Sequence, residues 1–147
     1  MSGRSQHRYR ADRLAAIERL HRGELDVLVL CGAAIVESID SVQVVLPGAF
    51  NPLHEGHRWM AQVAARSLSI PVAFELSIEN VDKPPLDLDS IERRLAQFDA
   101  EQTICLTRAA TFVQKVQLFS SANFVVGVDT ILRIANARYY GNDASCR

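Results

Sequence analysis

The feature that most constrains the fold is a short apolar run that ends in a turn and is followed at once by a helical pattern. Residues 42–46 read Val-Gln-Val-Val-Leu, and Pro47-Gly48 then interrupts the run. Residues 58–68 continue with apolar side chains at helical spacing, among them Trp59, Met60 and Val63. A strand, a glycine turn and a helix in this order predict an α/β unit.

The rest of the chain repeats this alternation. Further strands are predicted at residues 25–30, 71–77, 103–106 and 123–128, and further helices at residues 10–22, after Asp89 and after Thr111. Glu92 and Gln114 stand three residues beyond Asp89 and Thr111, the spacing of a helix capping box. The pattern predicts an α/β fold with a parallel sheet covered by helices on both faces. Such sheets bind ligands beyond the carboxyl ends of their strands.

Composition limits the function classes. The 147 residues suit one ordinary domain, and the net charge of −1 provides no overall basic field for nucleic acid. No apolar run approaches the roughly 20 residues of a membrane span. Three separated cysteines without a Cys-x-x-Cys pair favour a reducing compartment, and hence a cytoplasmic location. The arginine-containing residues 1–11 are interpreted as a frayed, solvated terminus, with organellar targeting as the alternative.

The run from Gly48 to His57, Gly-Ala-Phe-Asn-Pro-Leu-His-Glu-Gly-His, has the properties of a phosphate cradle. Gly48 lets the backbone approach a phosphate closely. His54 and His57 stand where the next helix begins, and the free N–H groups and the dipole of a helix start favour anions. Gly56 leaves room between the two imidazoles. Because phosphoryl and nucleotidyl transfer depend mainly on positioning and charge stabilisation, this loop predicts a polyphosphate site.

The same run resembles the signature of the cytidylyltransferase-like, His-x-Gly-His nucleotidyltransferase superfamily. Phe50-Asn51-Pro52 is more similar to the nicotinamide mononucleotide adenylyltransferases than to the pantetheine-phosphate and cytidylyl branches, which usually carry Asp at the position of Asn51. Residues 74–85 resemble a subgroup whose longer members carry a CinA-like domain upstream. The resemblance covers residues 40–141 and implies a Rossmann-like nucleotidyltransferase domain at 41–147. Residues 1–40, a helix and a strand, would then be a remnant of an upstream region.

The resemblance implies an enzyme that moves a nucleoside monophosphate from ATP or CTP to a small phosphate-bearing acceptor, such as nicotinamide mononucleotide, with release of pyrophosphate. His54 and His57 would be the catalytic residues. Mg²⁺ would bridge phosphate oxygens, and no metal site made of protein side chains is predicted. The nucleotide-binding residues that it implies are Gly48, Ala49, Phe50, Asn51, Gly56, Lys83 and Asp129.

Other interpretations of single residues stay open. Asp129 fits a helix N-cap equally well, and Lys83 is also explained as a solvated lysine. Arg108 is a weaker candidate for a phosphate contact. The remaining charged residues of this region receive no role: Glu75, Glu79, Asp82, Arg93 and Arg94.

Two departures from the family pattern qualify the interpretation. Ala49 replaces the usual Ser or Thr, and the Ile-Ser-x-x-x-x-Arg run of the family does not occur after Asp129. We therefore expect a domain that is incomplete at its C-terminus, with an exposed sheet edge that favours homo-oligomers. The alternative function is a non-catalytic nucleotide-binding module or an inactive truncated copy. A dinucleotide redox domain is disfavoured because no Gly-x-Gly-x-x-Gly follows a strand.

Overall fold

A computed structural model describes the backbone of residues 3–145 and the side chains of residues 3–136. The strands are β1 (Val27–Cys31), β2 (Ala34–Val36), β3 (Val44–Pro47), β4 (Ala73–Ser77), β5 (Thr103–Thr107) and β6 (Asn123–Phe124). The helices are α1 (Gly3–His21), α2 (Glu55–Leu68), α3 (Leu88–Leu95), α4 (Phe112–Leu118) and α5 (Val128–Ser145).

The strands form one six-stranded sheet in the order β2-β1-β5-β4-β3-β6. Strands β5, β4, β3 and β6 run parallel to one another, which confirms the predicted α/β fold with a Rossmann-like parallel sheet. The sequence did not predict strand β2, nor that β1 runs antiparallel to both β2 and β5. Only the two residues Gly32 and Ala33 separate the paired Cys31 and Ala34, and a turn this short can join only antiparallel strands.

Alternation along the strands divides the apolar side chains between two layers. The first layer packs the sheet against α1, α2 and α3, and its strand residues include Leu28, Leu46 and Phe74. The second layer holds Val29, Val45 and Cys105 together with Phe119, the residue that follows α4. The sheet is therefore covered on both faces.

Three element boundaries differ from the predictions. Helix α1 begins at Gly3, so residues 3–11 are helical rather than frayed. Asp87, not Asp89, caps α3, because the Asp87 side chain accepts a hydrogen bond from the Ser90 N–H at 2.7 Å. Strand β6 ends at Phe124, since α5 begins at Val128 and places Asp129 inside its first turn rather than at the N-cap. The capping box of Thr111 and Gln114 is confirmed.

The predicted division of the chain into an upstream remnant and a nucleotidyltransferase-like domain stays a prediction. Residues 1–40 and 41–147 contribute strands to the same sheet. Cys31 is exposed and Cys105 is buried, both as free thiols, and Cys146 lies outside the described residues. None of the helices in the described part of the chain combines the length and apolar character needed to cross a bilayer.

Candidate functional site

The loop that carries the predicted signature leaves the sheet where the strand order reverses. Strand β3 has β4 on one side and β6 on the other, so the connections that follow these strands diverge and leave a crevice beyond their carboxyl ends. The first residue of the loop is attached to the sheet, because the Gly48 N–H donates to the Glu75 carbonyl of β4 at 3.0 Å.

Phe50 anchors the loop in the core. Its ring is 1% exposed and makes edge-to-face contacts with Phe74, Phe98 and His57, with ring centroids 5.7, 5.3 and 5.0 Å apart. A Cβ atom at position 48 would lie 2.7 Å from the Phe50 Cε1 atom, so this ring excludes any larger residue than Gly48. The side chain of Phe50, which was predicted to bind nucleotide, therefore packs in the interior and leaves its backbone at the loop.

The polar side chains of α3 and of the turn after it hold the loop from outside. The Arg94 Nη1 donates to the Ala49 carbonyl and the Gln97 Nε2 donates to the Phe50 carbonyl, both at 2.7 Å. The Gln97 Oε1 accepts from the Leu53 N–H, also at 2.7 Å. Sequence reasoning gave Arg94 and Gln97 no role because no local pattern links them to a loop more than forty positions earlier.

The two histidines cap α2 reciprocally. The His57 N–H donates to Nδ1 of His54 at 3.4 Å, and the His54 N–H donates to Nδ1 of His57 at 3.2 Å. Their rings stack with centroids 3.7 Å apart. A Cβ atom at Gly56 would lie 2.9 Å from the His54 Cε1 atom, so a glycine is needed beside this ring.

This cap determines which ring nitrogen can donate. A neutral imidazole has one donor and one acceptor nitrogen, so an Nδ1 that accepts leaves the proton on Nε2. Burial, and secondarily the neighbouring His54, lower the pKa of His57, which keeps this ring neutral at pH 7. Both rings can therefore offer an Nε2–H to an anion without protonation of the pair.

A cleft of about 1240 Å³ opens beside the loop. Its walls are the signature loop, the segment after β4, helix α4 and the first turns of α5, and its cationic lining residues are Lys83, Arg94, Lys115 and Arg133. Among the described residues, Glu79 is the one carboxylate of the lining, and Arg108 forms an ion pair with it at 3.1 Å. The cleft is thus locally cationic although the chain as a whole is not.

The cleft brings together part of the predicted site. Gly48, Ala49, Asn51 and Lys83 line it. Within the described part of the chain, its lining does not include the other predicted residues, namely Phe50, His54, Gly56, His57 and Asp129. Asp129 is exposed in the first turn of α5, beside the lining residue Thr130. Arg108 is engaged by Glu79 rather than directed at the cleft.

One charged cluster lies beneath the cleft. The Glu75 side chain is fully buried, and its carboxylate accepts from the Thr107 hydroxyl at 2.7 Å and from the Lys115 ammonium at 2.8 Å. Burial and the adjacent Glu75 raise the pKa of the Cys105 thiol to about 12, so this thiol stays protonated and unreactive. The signal in the sequence was a single acid, Glu75, between the apolar Phe74 and Leu76 of a strand.

Comparison with known proteins finds a relative in Schizosaccharomyces pombe, described as "Putative nicotinamide mononucleotide adenylyltransferase". The two proteins are 30% identical over an alignment of 126 positions, and the match covers 74% of this chain and 48% of the relative. The chain is similar to a nucleotidyltransferase-like family. It spans about half the length of the relative that it matches. No protein-family model matches the sequence, and no solved structure matches it.

The nucleotidyl transfer that the resemblance implies normally requires a divalent cation. Among the described residues, no group of three His, Cys, Asp or Glu side chains could hold a metal ion. Magnesium bound mainly by phosphate oxygens and water needs no such group.

Proposed function

We propose that this chain is a nucleotidyltransferase that moves a nucleoside monophosphate from a magnesium–nucleoside triphosphate to a small phosphate-bearing acceptor and releases pyrophosphate. The observation that carries the proposal is the cationic cleft at the point where the strand order reverses. Its volume of about 1240 Å³ is above the range of ordinary small-ligand pockets, so it can hold two phosphate-bearing ligands together.

The proposed reaction is a direct displacement. An ionised phosphate oxygen of the acceptor attacks the α-phosphorus of the triphosphate. The bond from that phosphorus to the bridging oxygen breaks, and its electron pair leaves with pyrophosphate. No proton has to move at the reacting atoms, so the protein contributes position and charge. Magnesium, when bound to the nucleotide, supplies additional neutralisation of the phosphate oxygens.

Each part of the loop has a role in this proposal. The backbone of Gly48, Ala49, Phe50 and Asn51, with Gly56 at the helix start, holds the triphosphate. The imidazoles of His54 and His57 donate from Nε2 to its oxygens and stabilise the transition state. Lys83 adds a charge from the opposite loop, and Asp129 contacts a ribose hydroxyl.

ATP is the proposed donor, with CTP as the alternative, and nicotinamide mononucleotide is the proposed acceptor. The description of the yeast relative supports this choice, as does the side chain of Asn51 at the cleft. If the choice is correct, the product is a dinucleotide of the NAD type.

A pyrophosphate-release assay with nicotinamide mononucleotide and either ATP or CTP tests the proposal. The informative variant is His54→Asn/His57→Gln, because Asn remains a good N-cap and Gln remains a suitable third-position partner, while both Nε2 donors are lost. We expect turnover to fall about a hundredfold or more, as for the loss of one oxyanion donor. The control His7→Ala removes an exposed histidine of α1 and should retain full turnover.

A second function, nucleotide binding without transfer, is favoured by one observation. Both histidines are engaged in capping α2, and neither is among the described residues that line the cleft. Calorimetry separates the two functions. Binding of ATP without pyrophosphate release in any acceptor mixture would establish the binding module, and failure to bind ATP or CTP would eliminate both.

A further inference from the structure

The buried ion pair of Glu75 and Lys115 has no part in the proposed transfer reaction. Glu75 is fully buried on β4, and the Lys115 Nζ lies 2.8 Å from each of its two carboxylate oxygens. Thr107 adds a third hydrogen bond to the same carboxylate at 2.7 Å. The carboxylate is therefore well satisfied, and the cost of burying it is largely offset.

Stability alone does not account for such a pair. Replacement of a buried ion pair by apolar residues of similar volume is often neutral or stabilising, because the attraction between the charges barely exceeds their desolvation cost. The layer around Glu75 is otherwise apolar and includes Val45, Ala73 and Cys105. An apolar residue at position 75 would continue that layer, so the charge indicates a role beyond packing.

The location of the pair suggests that role. Glu75 pairs in register with Pro47 of β3, and its carbonyl accepts the Gly48 N–H at 3.0 Å. The pair thus lies about one strand spacing, roughly 5 Å, from the start of the signature loop. Lys115 lines the cleft together with Gly48 and Ala49.

The ammonium retains capacity for a ligand. Lysine has three N–H donors, and among the described side chains the Lys115 Nζ has Glu75 as its hydrogen-bond partner. Its side chain is 15% exposed, so the ammonium reaches the cleft while the two oxygens of the buried Glu75 carboxylate hold it in place. A charge held in place in this manner loses little entropy when it binds an anion.

We infer that Lys115 is a phosphate-binding residue of this cleft, held at its floor by the buried carboxylate of Glu75. The inference rests on the proposed function for the identity of the ligand, a nucleoside triphosphate, and adds a phosphate contact contributed by α4.

The experiment compares two variants in the full chain. Lys115→Met alone would leave the Glu75 carboxylate buried and unpaired, which destabilises folded proteins strongly. The reference is therefore Glu75→Gln, which keeps Lys115, and the test variant is Glu75→Gln/Lys115→Met, in which the whole pair is removed. Met fills a volume similar to that of the lysine stem. Calorimetry measures the affinity of each for ATP, inorganic tripolyphosphate and adenosine, with Arg66→Met as a control for loss of an exposed cation outside the cleft.

The double variant should bind ATP and tripolyphosphate about tenfold or more weakly than Glu75→Gln, the size expected for one lost charge-assisted hydrogen bond. Adenosine should bind both equally, and Arg66→Met should bind as the unmodified chain does. Equal ATP affinity in the two variants would overturn the inference and leave the proposed function standing. A loss of the same size for adenosine would also overturn it, since Lys115 would then shape the cleft rather than contact phosphate.

Two further outcomes separate the inference from the proposed function. If the unmodified chain binds tripolyphosphate through Lys115 but binds no nucleoside triphosphate, the inference holds and the proposed function fails. If it binds none of these phosphates, both fail.

Discussion

Gly48 and Phe50 depend on each other through packing, not only through a ligand. The Phe50 ring fills the space that a side chain at position 48 would need, and the ring is locked among Phe74, Phe98 and His57. The backbone at Phe50 has a φ of 50°, a left-handed conformation that costs energy in a residue other than glycine. The loop therefore has one well-defined conformation that core packing imposes.

Gly48→Ala should test this dependence. The new methyl group would force the ring or the loop to move, which is overpacking and should lower the free energy of unfolding by about 1–3 kcal/mol. Affinity for ATP should fall at the same time. Chemical denaturation and calorimetry measure the two effects. Gly127→Ala is the matched control, because a Cβ atom there would meet only the Met60 Sδ at 3.8 Å. Equal stability of the two variants would contradict the packing argument.

The reciprocal histidine cap makes the stability of the loop depend on pH. Burial and His54 lower the pKa of His57 below its ordinary value of 6.5, so the unfolded chain takes up this proton more readily than the folded chain. The contribution of neutral His57 to the free energy of unfolding is therefore complete above about pH 6.5 and declines as the pH falls below that value. Protonation also turns the accepting Nδ1 into a donor.

His57→Gln should remove this part of the pH dependence, because glutamine keeps a side-chain acceptor at the third helical position and does not titrate. Urea denaturation between about pH 7.5 and pH 5 would show the difference as a smaller loss of stability in the variant. His7 and His21, which lie outside the cap, remain in both proteins and serve as an internal control. An unchanged slope would show that the cap does not couple to protonation.

At the residue scale, the sequence predicted the site residues that lie close together along the chain. Gly48, Gly56 and the two histidines lie within ten consecutive positions, so the local pattern placed Gly48 at the end of a strand and the histidines at the start of the next helix. Lys115, Arg94 and Gln97 reach the site from elements that come much later in the chain. A single sequence shows no pairing between such distant positions, and these residues were missed.

Helix α3 is the element that holds the signature loop in place. Gln97, just beyond its end, bonds to both Phe50 and Leu53, and Arg94 bonds to Ala49. The polar contacts of one short helix therefore satisfy three backbone groups of the loop. Without them these groups would need other partners, and the loop would gain alternative conformations.

Gln97→Ala should weaken ATP binding more than it weakens the fold. We expect about a tenfold loss of affinity from the greater freedom of the loop, with a loss of roughly 1–2 kcal/mol in the free energy of unfolding. Gln62→Ala, at an exposed position of α2, is the control and should change neither quantity. A variant at position 97 with normal affinity would show that the loop is held sufficiently by Phe50 and Arg94.

Element boundaries were predictable where one capping signal stood alone. Thr111 and Gln114 form the box that their spacing predicted. Asp87 and Asp89 compete as caps two positions apart, and the structure uses Asp87 because its carboxylate reaches the Ser90 N–H. The apolar run after Asn123 contains no such signal, so the early end of β6 and the start of α5 could not be located.

At the scale of the whole molecule, the alternation of strands and helices predicted the architecture but not every strand direction. The parallel core follows from helices that separate its strands. The direction of β1 is set by its pairing with β5, more than seventy positions later, together with the hairpin to β2. Long-range pairing of this type leaves no periodicity in the sequence.

The contrast between overall and local charge leads to a prediction about salt. The chain has a net charge of −1, yet the lining of the cleft contains four cations and one carboxylate among its described residues. Lys115 is paired with the buried Glu75 and the carboxylate of Glu79 with Arg108, so the other three cations leave the cleft positively charged. Affinity for ATP should therefore fall as KCl is raised from about 0.05 to about 0.5 M, because salt screens partly exposed charges. Calorimetry at the two concentrations measures the change.

Arg133→Gln should reduce this salt dependence, since Arg133 is an exposed cation of the lining. Arg66→Gln, outside the lining, should not alter it. An affinity for ATP that is independent of salt would indicate that the backbone and apolar walls, rather than the cations, provide most of the binding.

The position of Glu75 has a mechanical consequence. Its backbone carbonyl accepts a hydrogen bond from Gly48 in one wall of the cleft, and its carboxylate accepts one from Lys115 in the other. Both walls are therefore attached to the same residue in the middle of strand β4, and a large displacement of either wall would require that strand to move as well.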